Sequence, residues 1–179
     1  VFYTSKAENR IGYFKTELVE AVSPKYFNNK KKTTSLLSLS SILNLLLPES
    51  QPYKNLYLSL RKLIKNLDQE NWATNYVYWE LELLKELGFD PYLEQFSNDL
   101  DETIDHKTIE IDNIRYQVPI FLLKEKKNLI IDNKNISTAL SFTRNLLSNK
   151  FFIPNNLIFP KARIILENYF NWSATSKEK

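Results

Sequence analysis

Apolar residues from position 29 onward recur at the three- and four-residue spacing of an amphipathic helix. The first run comprises Leu36, Leu39, Leu43, Leu46 and Leu47, and Pro48 ends it. Pro52 suits the start of a second helix, whose apolar face comprises Leu56, Leu60, Leu63, Ile64 and Leu67. The pattern therefore predicts two helices joined by a short connection that contains proline.

A third helix is predicted between about residues 70 and 87. Its apolar face consists of Trp72, Tyr76, Trp79, Leu83 and Leu87 and is widened by Val77, Leu81 and Leu84. A face of this breadth indicates a central, buried helix. Gly88 suits the end of that helix, and Pro91 follows shortly after it.

Two segments have the pattern of strands. Residues 1–23 contain β-favouring stretches at 1–3 and 11–14, which we interpret as the end of a small β unit. An insert at about 103–123 is predicted to form a hairpin, with strands at 108–111 and 114–118 around an Asp-Asn turn. We expect apolar packing to hold the hairpin through Ile109, Ile111, Ile114 and Val118.

Helical spacing returns at Ile136, Leu140, Leu147 and Phe151, and Pro154 breaks it. A last helix is predicted near Pro160, with Ala162, Ile165, Leu166 and Tyr169 on its face, and residues 173–179 are predicted to be a flexible polar tail. The sequence thus predicts a mainly α protein, with a helical bundle-like domain at 24–172 and a small β-hairpin insert.

Composition excludes several classes of protein. Hydrophobic residues make up 43% of the 179 positions, which is enough for a packed core. No cysteine is present, so disulfides and thiolate metal sites are excluded. No apolar run reaches the ~20 residues that span a bilayer, and we expect a cytoplasmic protein with no membrane partner. The chain begins at Val1 and has no methionine, so a piece of a longer protein is expected.

Charge is unevenly distributed although the net charge is only +3. Residues 1–66 hold eleven Lys or Arg and four Asp or Glu, and residues 106–179 hold twelve and six. Between them, residues 67–105 hold one Lys and eleven Asp or Glu. Basic regions around an acidic one can place a nucleic-acid surface on one side of a protein, and ordinary solvated helix faces give the same pattern.

The sequence offers little catalytic chemistry. The single histidine, His106, is expected at the surface. Glu82 and Glu86 are four residues apart, as is common on an exposed helix face, whereas Glu80 lies elsewhere on the turn and is expected to make a structural contact. The acidic residues at 99–105 could bind a hard cation, but the calcium-loop pattern with its central glycine is absent. We therefore predict no enzyme activity, no metal and no cofactor.

Basic residues give a candidate interface with DNA. The residues proposed to contact DNA are Lys30, Lys31, Lys32, Lys161 and Arg163, chosen for their charge. Lys and Arg neutralise phosphates without any sequence code. Lys30–Lys32 precede a helix, whose dipole does not favour cations there, so an external anionic partner is indicated.

Four motifs in order resemble the bacterial RecO family of recombination mediators. The most specific covers residues 78–93, with the aromatic-Glu-Leu sequence Trp79-Glu80-Leu81 and the turn Leu87-Gly88-Phe89. Residues 17–21 resemble the strand that leaves the family's N-terminal OB-fold, and residues 46–49 resemble the end of its first helix. Residues 160–163 resemble the family's Pro-x-Ala-Arg start of a late helix, which places Arg163 on a motif position.

The resemblance implies a non-catalytic protein of DNA repair by homologous recombination. Such a mediator binds single- and double-stranded DNA, anneals strands, and loads the recombinase together with RecR and the acidic C-terminal tail of single-strand-binding protein. A cytoplasmic, nucleoid-associated location is implied, and residues 1–23 would be the remnant of an OB-fold β-barrel. Many members begin a four-cysteine zinc site where this chain has Phe96 and Asp99, so the zinc site is not carried over.

Two other functions remain open from sequence. A helical protein-interaction module without DNA binding also explains the aromatic helices and predicts no salt-dependent binding of nucleic acid. A metal-dependent hydrolase that uses the acidic residues at 99–105 predicts a requirement for divalent ions and loss of activity on Asp101→Ala.

Overall fold

The computed structural model describes residues 2–4, 13–15, 17–18, 20–98, 104–124 and 131–175, and most of these residues are helical. The helices are α1 (Val22–Lys25), α2 (Lys30–Leu46), α3 (Lys54–Lys65), α4 (Trp72–Glu86), α5 (Ile120–Leu123), α6 (Asn133–Leu147) and α7 (Lys161–Thr175). A 3-10 turn follows α4 at Leu93–Phe96, and a π-helical turn follows α6 at Ser148–Phe152. The prediction of a mainly α protein is confirmed.

The ends of the helices follow from local chemistry. The Asn29 side chain accepts a hydrogen bond from the Lys32 backbone N–H at 3.1 Å and caps the start of α2. At the end of α4, Gly88 has φ +93° and the Phe89 N–H donates to the Leu84 carbonyl at 2.9 Å. This is the Schellman arrangement, in which a left-handed residue satisfies the last carbonyls of a helix.

The core is built around α4, as its broad apolar face predicts. Tyr76, Val77, Trp79, Leu83 and Leu84 are all buried. Helix α3 packs on one side of α4 and α6 on another, while α7 packs against both α6 and α2. Among the described residues, no helix is long and apolar enough to cross a membrane.

The predicted hairpin is present as β3 (His106–Ile111) and β4 (Ile114–Pro119), which pair in antiparallel register. Asp112 and Asn113 both have positive φ, at 51° and 63°, as a tight two-residue hairpin turn requires. The hairpin packs on α6, where Tyr116 meets Phe142 edge-on with ring centroids 5.7 Å apart. Helix α5 continues from β4 and buries Phe121, Leu122 and Leu123.

One expected contact of the hairpin is wrong. Ile109, Ile111 and Val118 are buried, but Ile114 is 41% exposed. Ile114 pairs with Ile111 at the turn end of the ladder, so its side chain lies at the tip of the hairpin. In β4, Tyr116 packs in the core together with Val118, in the place expected for Ile114.

The N-terminal segment is only partly as predicted. Strands β1 (Phe2–Thr4) and β2 (Tyr13–Lys15) form an antiparallel pair. Glu17, Leu18 and Glu20 lie in no strand, so the expected strand at 17–21 is not found among the described residues. The OB-fold remnant stays a prediction. At the other end, α7 continues through Thr175, beyond the predicted start of the tail, and 176–179 lie outside the described residues.

Candidate nucleic-acid interface

The three lysines at the start of α2 have different surroundings. Helix α2 contains no acidic residue, so the lysines are its only charges. Lys30 is exposed and takes part in none of the ion pairs found among the described residues. Lys32 is half-buried, lies 3.6 Å from Asp68 and has its ammonium 5.4 Å from the centre of the Tyr26 ring. Lys30 is therefore the lysine most available to a phosphate.

Lys31 is held against an aromatic ring. Its Nζ lies 4.4 Å from the centroid of Phe170 in α7, a cation–π distance. Burial lowers the pKa of Lys31, because the amine has lost part of its water. The ammonium group of Lys31 therefore lies partly buried between α2 and α7.

Lys161 lies apart from these lysines. It is exposed and is the first residue of α7, whereas Phe170, the contact of Lys31, is nine residues further along the same helix. Nine residues correspond to roughly 13 Å of helix. The structure therefore places Lys161 and Lys30–Lys32 towards opposite ends of α7, and not in one continuous patch.

Arg163 is removed from the proposed DNA contacts, because its side chain is fully buried. Its Nε donates to Glu80 Oε1 at 2.6 Å and its Nη2 to Glu80 Oε2 at 2.9 Å. Its Nη2 also donates to the Leu140 carbonyl at 2.6 Å, and Nη1 lies 3.3 Å from Glu167 Oε2. A guanidinium with all these partners is a structural cation of the core.

A network extends from this pair across three helices. Thr143 of α6 donates to Glu80 Oε2 at 2.6 Å, and Arg144 of α6 donates to Glu167 Oε2 at 3.0 Å. Two arginines and two carboxylates thus balance in charge. We name these residues the buried charge network: Glu80, Thr143, Arg144, Arg163 and Glu167. The expectation that Glu80 makes a structural contact is confirmed.

Burial and neighbouring charges shift the pKa values of two side chains in and beside the network, Arg163 and Tyr76. Burial acts to lower the pKa of Arg163, but Glu80, with further contributions from Tyr76 and Glu167, outweighs it and raises the pKa above its ordinary value. Burial and then the charge of Glu80 raise the pKa of Tyr76 well above its ordinary value of 10.0. The Tyr76 hydroxyl lies 2.7 Å from Ser38 Oγ, so α2 is joined to the same polar centre.

A cavity with a volume of about 760 Å³ lies between α3, α4 and the 3-10 turn. Its lining includes Trp79, whose buried Nε1 has no hydrogen-bond acceptor in the described part of the chain. The lining also includes Lys62 and Lys85 together with Glu82, Asp90 and Glu94. An acidic peptide would need a mainly basic lining, which this mixed charge does not provide.

The structure offers no metal site in the residues it describes. It contains no group of three or more His, Cys, Asp or Glu side chains that could hold an ion. His106 is exposed at the start of β3. Most of the acidic stretch at 99–105, including Asp99 and Asp101, lies outside the described residues, and Phe96 is half-buried against the core.

Sequence reasoning missed the partners of two side chains. Glu80 stands among Trp79, Leu81, Leu83 and Leu84, and a carboxylate on so apolar a helix indicates a buried cation nearby. No sequence signal distinguishes Lys31 from its two neighbours. Its contact with Phe170 depends on the packing of α2 against α7.

Comparison with known proteins finds relatives of the helical segment. Residues 29–107 match the family model described as recombination protein O C terminal. The DNA repair protein RecO of Wolbachia sp. subsp. Drosophila simulans is 37% identical over 89 residues, which are 49% of this chain and 37% of that protein. The DNA repair protein RecO of Jannaschia sp. is 29% identical over 93 residues, which are 52% of this chain and 38% of that protein.

These alignments cover little more than a third of each curated relative's length. The comparison with solved structures found no match. The family match begins at Asn29, the cap of α2, and includes Lys30–Lys32, α3, α4 and Glu80. Residues 29–107 therefore resemble the C-terminal part of RecO family proteins.

Proposed function

We propose that this chain acts in DNA repair by homologous recombination, as a non-catalytic mediator that binds DNA. The observation that carries the proposal is the family match over residues 29–107, together with relatives named as DNA repair proteins. In this proposal the chain binds single- and double-stranded DNA and anneals strands. It loads the recombinase with RecR and with the tail of single-strand-binding protein, at the nucleoid in the cytoplasm.

The geometry supports a DNA contact at the start of α2. An exposed lysine, two half-buried lysines and a helix without acidic residues make this a basic end of the bundle. We propose that Lys30 contacts phosphate directly, with Lys31 and Lys32 beside it. Lys161 forms a second, separate phosphate contact at the other end of α7. The OB-fold remnant at 1–23 belongs to the same proposal.

The test is fluorescence anisotropy of labelled single-stranded and duplex DNA across a salt series. We expect binding that weakens steeply with salt, because each neutralised phosphate releases counterions. A well-folded protein that binds neither DNA at low salt would refute the proposal. That result would favour the alternative, a helical protein-interaction module.

One observation favours that alternative. Leu37 on α2 and Ile164 and Ile165 on α7 are exposed, although their two helices pack together. Exposed apolar residues on adjacent helices are typical of protein contacts. The salt series separates the two functions, because a protein-interaction module has no reason to bind DNA in a salt-dependent way.

A further inference from the structure

A small pocket lies where four helices meet at one end of the bundle. Its volume is about 130 Å³, and its lining comes from the starts of α2, α4 and α6 and from the last part of α7. Pockets for drug-sized ligands are several times larger, at roughly 300–1,000 Å³. This pocket therefore suits one ring-sized group and does not suit a folded peptide.

Two aromatic rings contribute to the apolar lining of the pocket, together with Ile131 and Ile136. Trp72 at the start of α4 and Phe170 in α7 lie with centroids 6.0 Å apart and planes tilted by 49°. Phe170 is buried, whereas Trp72 is only half-buried and lines the pocket. A half-buried indole beside a cavity is a surface on which a flat ring can stack.

A cation lies at the same place. Lys31 lines the pocket with its amine over Phe170, and it takes part in no ion pair within the described part of the chain. An ammonium without a carboxylate partner, on an aromatic platform, can accept an external anion. Ala73 and Thr74 in the first turn of α4 line the pocket as well, and the Asn71 side chain makes no capping hydrogen bond to that turn.

The remaining polar groups distinguish between ligands. Glu70 lines the pocket and disfavours a bare inorganic anion. The same carboxylate can accept a hydrogen bond from a ring N–H or an amino group of a base, and the amides of Asn71 and Asn133 offer both donors and acceptors. A ligand that combines an anion, a flat ring and hydrogen-bonding edges satisfies all of these groups, and a nucleotide has these three parts.

We propose that this pocket binds one unpaired nucleotide of a DNA single strand, with its phosphate at Lys31 and its base on Trp72. The inference rests on the proposed DNA binding and adds to it a preference for single-stranded over duplex DNA. A base within a duplex is stacked and paired, so it cannot enter the pocket. The helical domain therefore prefers single strands through Trp72, beyond the charge attraction that single and double strands share.

The experiment compares two labelled single strands of equal length and charge, oligothymidine and an oligomer of abasic sites. We expect Trp72→Leu to weaken binding of oligothymidine at least about fivefold and up to about 160-fold, which is the loss of a base–aromatic stack of about 1–3 kcal/mol converted to affinity. Binding of the abasic oligomer is expected to change less than twofold. Tyr57→Leu, at an exposed aromatic residue of α3, is the matched control and leaves both affinities unchanged.

Because Trp72 also packs on the core, a conservative variant provides a second readout. We expect oligothymidine to quench tryptophan fluorescence in the unsubstituted chain and in Trp79→Phe, and the quench to disappear in Trp72→Phe. Equal affinity of the unsubstituted chain for the thymidine and abasic oligomers, with a normal salt dependence, overturns the pocket and leaves the proposed function intact. No binding of either oligomer overturns both.

Discussion

Arg163 of α7 and Glu80 of α4 form a bidentate ion pair across 83 positions of sequence, and neither side chain is accessible to solvent. Glu80 lies in the motif Trp79-Glu80-Leu81, and Arg163 lies in the motif at residues 160–163. Both motifs are among the four that resemble the RecO family. The pair joins the central helix to the last helix, and Thr143 and the Leu140 carbonyl of α6 complete its hydrogen bonds. The two motifs are therefore one structural feature of the core.

Removing one partner of this pair is expected to destabilise the fold strongly. Glu80→Leu leaves the guanidinium of Arg163 buried with only Glu167 to balance it, and an uncompensated buried charge costs about 3–5 kcal/mol. Glu80→Leu combined with Arg163→Met should lose clearly less than the sum of the two single variants. The measurement is the free energy of unfolding in urea for the complete double-mutant cycle.

The exposed pair of Glu110 and Arg115 in the hairpin is the control for this cycle. Its atoms are 3.6 Å apart at the surface, where water screens the attraction. Arg115→Ala should leave the free energy of unfolding almost unchanged. If Glu80→Leu has an effect as small as Arg115→Ala, the buried charge network has no structural role.

Arg163→Lys is expected to separate stability from DNA binding. A lysine cannot reproduce the bidentate contact, so the free energy of unfolding should fall by roughly 2 kcal/mol. The affinity of the remaining folded protein for DNA should be unchanged, because Arg163 does not reach the surface. Anisotropy at a temperature where the variant is folded measures this, and a selective loss of DNA affinity would return Arg163 to the interface.

Alkaline pH should destabilise the protein through Tyr76. The pKa of Tyr76 is raised in the folded state, so its stabilising contribution is complete below about pH 10 and is lost as the pH rises above that value. Above about pH 10 the unfolded state loses the Tyr76 proton while the folded state keeps it, so the free energy of unfolding falls by about 1.4 kcal/mol for each pH unit. Tyr76→Phe should flatten the fall in unfolding free energy between about pH 10 and 11.5 by this amount.

The same variant should be less stable at neutral pH, because Ser38 loses its buried partner. The cost is about 1 kcal/mol, as for one neutral hydrogen bond. Tyr57→Phe, at an exposed tyrosine of α3, should leave both the stability at neutral pH and the alkaline slope unchanged. Identical alkaline slopes for the unsubstituted chain and Tyr76→Phe would show that Tyr76 ionises as easily as a solvated tyrosine.

Gly88 is expected to be required for its backbone conformation and not for space. No atom lies within 4 Å of the position that a Cβ would take, but φ is +93°. Gly88→Ala should therefore lower the free energy of unfolding by about 1–2 kcal/mol. Gly88→Asn should lose less, because asparagine tolerates left-handed backbone. Urea unfolding of the two variants measures the difference, and equal losses would indicate that the cost is not conformational.

Local patterns in the sequence predicted the elements of this fold well. The spacing of leucines and aromatics located α2, α3 and α4, and the Asp112-Asn113 pair located the hairpin turn. These features depend on residues a few positions apart, so a sequence window contains them. Ile114 was misjudged because the alternation of a strand gives its face but not whether the core extends as far as the tip.

The candidate site was predicted less well because it depends on contacts between distant segments. Charge alone grouped Arg163 with Lys161, although Arg163 faces Glu80 in the core and Lys161 faces solvent. Likewise, Trp72 was predicted only as part of an apolar face. Its position beside Lys31 and Phe170 follows from the packing of α2, α4 and α7, which no local pattern shows.

The most direct test of the proposed function compares two triple variants that carry the same net charge. One replaces Lys30, Lys31 and Lys32 by glutamine, and the other replaces the exposed Lys54, Lys62 and Lys65 of α3 by glutamine. We predict that only the first variant weakens DNA binding substantially and reduces the slope of log affinity against log salt, by up to about 0.7–0.9 for each phosphate that the variant no longer neutralises. Equal affinities and equal salt slopes for the two folded variants would contradict the assignment of DNA binding to the start of α2.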